Sequence, residues 1–286
     1  MTDNVAVTLH PERSQAAAVA GEVIAWLLDH GYGVRLLHED AEALGRVDLA
    51  VPDEHLGVDA VLALSLGGDG TMLRTFDLVR ANEVPVLGVN IGQLGYLTEF
   101  EPAEAVAATE KALTGQLPVE ERMMVAARIQ RRDGSIEGPW LGLNEAVLEK
   151  KAQGHTIRLH VELDGDHFAT YAADGLIVST PTGSTAYSLS ARGAIVDPIH
   201  RALQLTPVAP HMLFDRSLLL RPDSDVRITV AGDRAANLSV DGRSVAALAD
   251  GDVMIASEAD AVVKLVTSGN RSFHQVLKQK FGLKDR

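Results

Sequence analysis

The chain has 286 residues, 46% of them hydrophobic, a formal net charge of −13 and no cysteine. Its length and apolar content support two folded domains with sizeable cores. The acidic balance disfavours non-specific binding to nucleic acid or an anionic membrane; no apolar run approaches the ~18 residues of a membrane span, and the lack of cysteine excludes disulfides, thiolate metal sites and a thiol nucleophile.

Met1 to Val5 carries no basic region leading into an apolar segment, so a cytoplasmic location is expected. Val5 to Leu9 alternates as a first strand would. Ser14 is placed to cap an Ala-rich helix that carries Val19, Val23, Ile24, Leu27 and Leu28 on one side and stops near Gly31. Tyr32 to Leu37 reads as a second strand and Asp40 to Leu49 as a polar connection or short helix. Then comes the stretch around which the chain is organised, Asp59 to Arg80. An apolar run, Ala60 to Leu66, leads into Gly67-Gly68-Asp69-Gly70-Thr71, and Leu73, Phe76 and Val79 follow at helical spacing.

Three glycines in four residues admit positive φ and a close approach of the backbone, so successive N–H groups can face a phosphate at a helix N-terminus. Asp69 would repel that phosphate unless it holds a metal ion or accepts a proton from a nearby hydroxyl. Taken alone, the stretch equally suits a plain strand-to-helix turn capped by Asp69 or Thr71. It is not the GxxxxGK[ST] phosphate loop, because no Lys-Ser or Lys-Thr follows the last glycine.

Val84 to Asn90 reads as another buried strand, and strands alternating with helices imply a parallel sheet that binds ligands at its carboxyl edge. Ala103 to Leu113 is expected to be a linking helix. Beyond Pro118 the chain turns to strands separated by Asp-Gly pairs at 133, 164, 241 and 250, with the clearest hairpin at Asp164-Gly165. Phe273 to Phe281 reads as a closing amphipathic helix. The expected domains are residues 1–118, an α/β nucleotide-binding domain; 119–265, a β-rich domain; and 266–286, a tail and helix packing back on the first.

Two further stretches carry chemistry. From Asp174 to Ser190 a strand enters a hydroxyl-rich turn, where side chains and amides can hold a ribose and Tyr187 can lie against a planar ring. An ordinary cap for a short helix, from Ser184 or Thr185, with a core tyrosine accounts for the same residues. Asn144-Glu145 interrupts an apolar segment. An amide beside a carboxylate suits an adenosine, the one meeting a base edge and the other accepting from ribose hydroxyls, although the pair is also common in turns.

Together the three stretches, in this order and with Pro85 to Asn90 and Ser239-Val240-Asp241-Gly242, resemble the NAD kinase family over nearly the whole chain from about Val61. The resemblance implies a Rossmann-like α/β N-terminal domain with a parallel sheet, a β-rich C-terminal domain, and a homodimer or homotetramer. It implies transfer of a phosphoryl group from ATP, or in some members polyphosphate, to the 2′-hydroxyl of the adenosine ribose of NAD, with Mg²⁺ or another divalent metal as cofactor. No residue of the chain is assigned as a metal ligand. By motif, Asp69 resembles the catalytic aspartate and Gly70 its partner in the phosphate turn, while Arg74 matches a basic position one helical turn on. Asn144 and Glu145 resemble the adenosine-binding pair and Asp174 an NAD-binding acid. Thr185, Ala186, Tyr187, Ser188, Leu189 and Ser190 resemble the segment along the dinucleotide, and His155 and Ala209 fall where some members contact NAD.

The chain departs from the family pattern at Ala172, where many relatives carry Arg or Lys, and at Arg192-Gly193-Ala194, where Gly-Gly-Pro is usual; Arg192 is expected to add bulk and charge at a close backbone approach. These departures motivate a rival reading as a non-catalytic NAD or NADP sensor. The turn at Gly67 to Thr71, shared with lipid and sugar kinases, motivates another.

Overall fold

The structure is a computed structural model, and it describes residues 3–10, 13–151 and 154–283. The chain divides into two compact units, Met1–Glu121 with Val263–Arg286, and Arg122–Val262.

In the first unit, β1 (Asn4–Leu9), β2 (Gly33–Leu37), β3 (Ala50–Val51), β4 (Ala60–Gly67) and β5 (Val86–Asn90) form a parallel sheet in the order β3-β2-β1-β4-β5. The connections carry α1 (Ser14–Asp29), α2 (His38–Leu44) and α3 (Asp69–Val79), and α4 (Ala105–Leu113) follows β5. Helices and sheet bury their apolar residues together: Val5, Val7 and Leu9 of β1, Leu62, Leu64 and Leu66 of β4, and Val19, Val23, Ile24 and Leu27 of α1. The register sets Leu9 beside Leu66 and Gly67 beside Asn90, so β1, β4 and β5 end together at one edge. α1 begins at Ser14, but Arg13 occupies the cap position and no side chain caps it.

The second unit is antiparallel. After β6 (Val119–Gln130) and β7 (Ile136–Gly142) come β8 (Glu145–Lys150), β9 (Ile157–Leu163), β10 (Asp166–Ala173) and β11 (Gly175–Ser179). A short helix, α5 (Tyr187–Ser190), precedes β12 (Leu203–Val208), β13 (Leu218–Leu220), β14 (Val226–Ala231), β15 (Ala236–Val240), β16 (Arg243–Leu248) and β17 (Val253–Val266). One sheet has the order β13-β12-β11-β8-β15-β16, and β10-β9-β14-β17 pair in sequence in the other. Alternating residues of both, among them Leu148, Leu159, Leu176, Leu205, Ile228 and Leu238, share one core. The hairpin between β9 and β10 turns at Asp164 and Gly165, both with positive φ, +53° and +87°, which is the backbone that favours an Asp-Gly pair there.

The end of β17 belongs to the first unit, where Leu265 and Val266 pair with Val86 and Leu87 of β5. The Thr267 amide donates to the Pro118 carbonyl and the Ser268 amide to Glu99. α6 (Phe273–Lys280) then starts with a capping box made by Ser272 and Gln275 and buries Val276.

Candidate functional site

In the first unit, the turn after β4 opens on a cavity of about 720 Å³ lined by Gly68, Asp69, Gly70, Thr71, Arg74 and Gly95, with His10, Arg13 and Lys280 among the other residues at its wall. None of the glycines at 67, 68 and 70 has positive φ, contrary to the freedom their number suggested. At Gly67 the need for glycine is steric. A Cβ on Gly67 would lie 2.2 Å from Thr71 Oγ1, whereas one on Gly68 or Gly70 would meet nothing within 4 Å, which is the bare backbone that an anion at a helix N-terminus needs.

Asp69 is the first residue of α3, with Gly68 at the cap, and caps nothing in its own helix. Its carboxylate instead accepts from the Tyr96 amide, at 3.0 Å to Oδ1 and 2.9 Å to Oδ2, and from the Leu97 amide at 2.9 Å to Oδ1. Two donors aim the group without filling the lone pairs of Oδ2. Gly95 makes this approach possible, since a Cβ there would lie 2.3 Å from Asp69 Oδ1. Arg74, expected near a phosphate, is paired with Glu39, although it still lines the cavity.

In the second unit, Asn144 and Glu145 stand where β8 begins between β11 and β15; the register pairs Glu145 with Ser179 and Ala146 with Val240. The turns that follow both neighbours therefore press on residues 143–145. Asp241 accepts from the amides of Leu143 (2.7 Å), Asn144 (2.8 Å) and Glu145 (3.1 Å), and its own amide donates to the Glu145 carbonyl (3.0 Å). From the other side the Thr180 amide donates to the Asn144 carbonyl, and Gly183 packs so closely that a Cβ would lie 2.0 Å from that oxygen. Glu145 is buried, and its Oε2, like the hydroxyls of Ser179 and Thr182, has no hydrogen-bond partner. Burial, with the nearby charge of Asp241, pushes the Glu145 carboxyl up to about 8, and burial raises Asp241 as well. Buried polar atoms left unpaired at a rigid turn are ready for donors such as ribose hydroxyls.

Tyr187 joins this group. Burial and then the charges of Glu149, Asp174 and Glu145 raise its hydroxyl above the usual range, so the group stays a proton donor at neutral pH. Its ring is exposed, not the core residue that the plainer reading allowed. Asp174 is bound by Lys150 Nζ at 2.6 Å, a cation in its neighbourhood despite the alanine at 172. Ala209 follows Val208, whose carbonyl takes the Asp174 amide, and has φ +45°. His155 lies in a separate basic hollow of about 280 Å³ with Lys150, Lys151 and Arg234.

Not every hydroxyl of the 182–190 segment faces outward. Ser188 is buried against Thr206 (3.0 Å), Ser184 bonds to the Val196 backbone, and Thr185 bonds to the Thr182 carbonyl. None of them caps α5, which has no side-chain cap. Ala186, Leu189 and Ser190 keep their surfaces partly or wholly open. Arg192 is exposed with φ +66°, and the close contact falls one residue later, where a Cβ on Gly193 would lie 2.1 Å from Ser188 Oγ. The expected bulk at position 192 is thus directed to solvent, because the left-handed backbone there turns the side chain out.

Sequence reasoning gave no role to Tyr96, Leu97, Gly95, Lys150 or Lys280, and treated Asp241 only as a turn residue and part of the resemblance. Gly92 to Gly95 after β5 is the one local signal for the first group. The others meet their partners only across long stretches of chain.

The family model described as ATP-NAD kinase N-terminal domain matches residues 5–117, and that described as ATP-NAD kinase C-terminal domain matches residues 143–268. The chain is 38% identical over 270 residues to an NAD kinase of Citrifermentans bemidjiense, covering 93% of each. With an NAD kinase of Carboxydothermus hydrogenoformans it shares 42% identity over 238 residues, 82% of this chain and 84% of the other. A yeast NADH kinase complexed with NADH superposes with a TM-score of 0.92 at 25% identity, over 100% of this chain and 89% of that one. An NAD kinase from Archaeoglobus fulgidus in complex with ATP shares the fold, with a TM-score of 0.76 at 23% identity over 96% of this chain and 98% of that one.

Proposed function

The chain belongs to the NAD kinase family, and we propose that it transfers the terminal phosphoryl group of ATP, or of polyphosphate, to the 2′-hydroxyl of the adenosine ribose of NAD, giving NADP. The observation that carries the mechanism is the Asp69 carboxylate, held by two backbone amides beside Gly68 and Gly70, where the space next to the backbone is open. A pure phosphate-binding turn has no use for a fixed negative charge, whereas a base beside a phosphoryl group does.

In this reading Asp69 takes the proton of the ribose hydroxyl as its oxygen bonds to phosphorus, and the bridging oxygen of the donor leaves with the bonding electron pair. The Gly68 and Gly70 backbone receives the phosphates, and Arg74 gives positive potential at the cavity wall. Glu145, poised by Asp241, accepts from ribose hydroxyls. Asn144 meets the adenine edge, Tyr187 and the Thr185 to Ser190 segment flank the dinucleotide, and Asp174, Ala209 and His155 contribute further along it. The residues present fit a divalent ion carried by the donor: among the described residues at the cavity wall, Asp69 is the one carboxylate. Mg²⁺ is commonly bound by one carboxylate together with substrate phosphates, where it neutralises their charge.

A cytoplasmic homodimer or homotetramer belongs to the same reading. No helix of the described residues is long and apolar enough to cross a membrane. The segments flanking β12 leave Ile195, Ile199, Leu213 and Phe214 exposed, a composition suited to a subunit contact, which light scattering of the purified protein will show as a multiple of 30.5 kDa.

The test is NADP formation from NAD, Mg²⁺ and either donor. Asp69→Asn is expected to lower turnover by roughly 10²- to 10⁴-fold while calorimetry shows NAD affinity unchanged. Near-normal turnover in the variant would remove Asp69 from the mechanism.

A further inference from the structure

The wall of the Asp69 cavity includes a residue from the far end of the chain. Lys280 is the last residue of α6, and its Nζ sits 3.9 Å from the centroid of the Tyr96 ring. The backbone amide of that same tyrosine holds Asp69. Lys280 and Asp69 are therefore arranged through one residue, and the Asp69 charge acts on the ammonium: partial burial lowers its pKa, while Asp69 raises it.

The cations at this wall differ in their partners. Arg74 is tied to Glu39. Lys280 has no carboxylate within salt-bridge distance among the described residues, and its ammonium rests on the ring face alone. A cation seated on the face of the half-buried Tyr96 ring is not fixed there by an ion pair, and the exposed Lys280 ammonium can give three N–H donors to a phosphate. In a chain of net charge −13, a triphosphate entering a cavity that already holds a carboxylate needs local positive charge. α6 supplies it at the right place: the capping box at Ser272 fixes where the helix starts, and buried Val276, one turn before Lys280, fixes which side faces inward.

We propose that Lys280 is a catalytic residue of this kinase, leaving the Tyr96 ring to bind the transferring phosphoryl group of the donor beside Asp69. This rests on the phosphoryl-transfer reading above and names the side chain that completes it. The step needs no covalent change at Lys280; its ammonium stays protonated and offsets the negative charge on the equatorial oxygens while the donor's bridging bond breaks.

The test compares wild type, Lys280→Met and Lys280→Arg in the full-length protein. Lys280→Met is expected to lower kcat/KM for ATP by roughly 10²- to 10³-fold. It is also expected to weaken binding of inorganic tripolyphosphate, measured by calorimetry without NAD, by about tenfold or more, with the Kd for NAD and the unfolding midpoint unchanged. Lys280→Arg, which keeps the charge, should recover part of both. The proposal is overturned if Lys280→Met leaves tripolyphosphate affinity and kcat/KM for ATP within about twofold of wild type. It is equally overturned if NAD affinity and the unfolding midpoint fall together with turnover and Lys280→Arg recovers none of them, because the residue then only packs the helix. Should the wild type make no NADP from any donor, the kinase reading fails, while the tripolyphosphate arm still decides whether Lys280 binds a phosphate chain.

Discussion

Replacing Gly95 by alanine tests whether the aim of Asp69 matters. The added Cβ would stand 2.3 Å from Asp69 Oδ1 and 2.5 Å from Thr98 Oγ1, so roughly 1 Å of movement is needed to reach ordinary contact. Gly95 does not have positive φ, so the backbone itself accepts alanine and the effect is steric. The carboxylate is the side that can give, and moving it breaks bonds of 2.9–3.0 Å to the Tyr96 and Leu97 amides. A hydrogen bond to a charged group contributes about 1.5–3 kcal/mol; with partial rescue by water, the expected loss of stability is roughly 2–4 kcal/mol. Misplacing a reacting group by about 1 Å costs on the order of 10²-fold in rate. The assay is the initial rate of NADP formation at saturating NAD and donor, beside a thermal melt and NAD calorimetry. Gly95→Ala should melt several degrees lower, lose about 10²-fold in kcat, and bind NAD as before, since Asn144, Glu145 and Tyr187 are untouched. A folded Gly95→Ala protein with kcat within about threefold of wild type would refute the argument that the two amides hold Asp69 in its working orientation.

Three further outcomes concern the second unit. Because burial raises the Glu145 carboxyl to about 8, the folded chain holds a proton that the unfolded chain releases near the ordinary value of 4.5; wild-type stability should therefore fall as pH rises between about 4.5 and 8, and less steeply in Glu145→Gln. Ribose hydroxyls donating to this carboxylate favour its charged form, so calorimetry at pH 7 in buffers of different ionisation enthalpy should show NAD binding releasing a proton in wild type and not in Glu145→Gln; equal release would refute the assignment. Arg192 sits exposed at φ +66°, where a side chain costs roughly 1 kcal/mol relative to glycine, so Arg192→Gly should raise the unfolding midpoint slightly, and a clear fall would show that the guanidinium makes a stabilising contact.

The sheet of the first unit was legible because its evidence is local. Val5 to Leu9, Ala60 to Leu66 and Val86 to Asn90 are short apolar runs bounded by glycine or helix signals, and their alternation with helices leaves parallel pairing as the natural outcome. The Asp164-Gly165 turn was legible for the same reason, since the backbone it needs is written in two adjacent residues. The Gly67 to Thr71 turn, Asn144-Glu145 and the 182–190 segment could be picked out as places where polar residues interrupt apolar runs.

What each of those polar residues touches was decided by tertiary structure. Asp69 read equally as a helix cap or as a group beside a phosphate, and what holds it was not legible: its partners are amides in the segment after β5, brought alongside because β4 and β5 end in register at Gly67 and Asn90. Asp241 looked like one turn residue among four, yet it holds residues 143–145 because β15 pairs with β8. Arg74 looked free for a phosphate and is bound to Glu39. Nothing near Lys280 in the sequence announces Tyr96. Propensity and periodicity act over a turn or two of chain and so determine elements; the strength of a buried charge or hydrogen bond depends on atoms about 3 Å apart in space, and only the register of the sheets determines which distant residues those are.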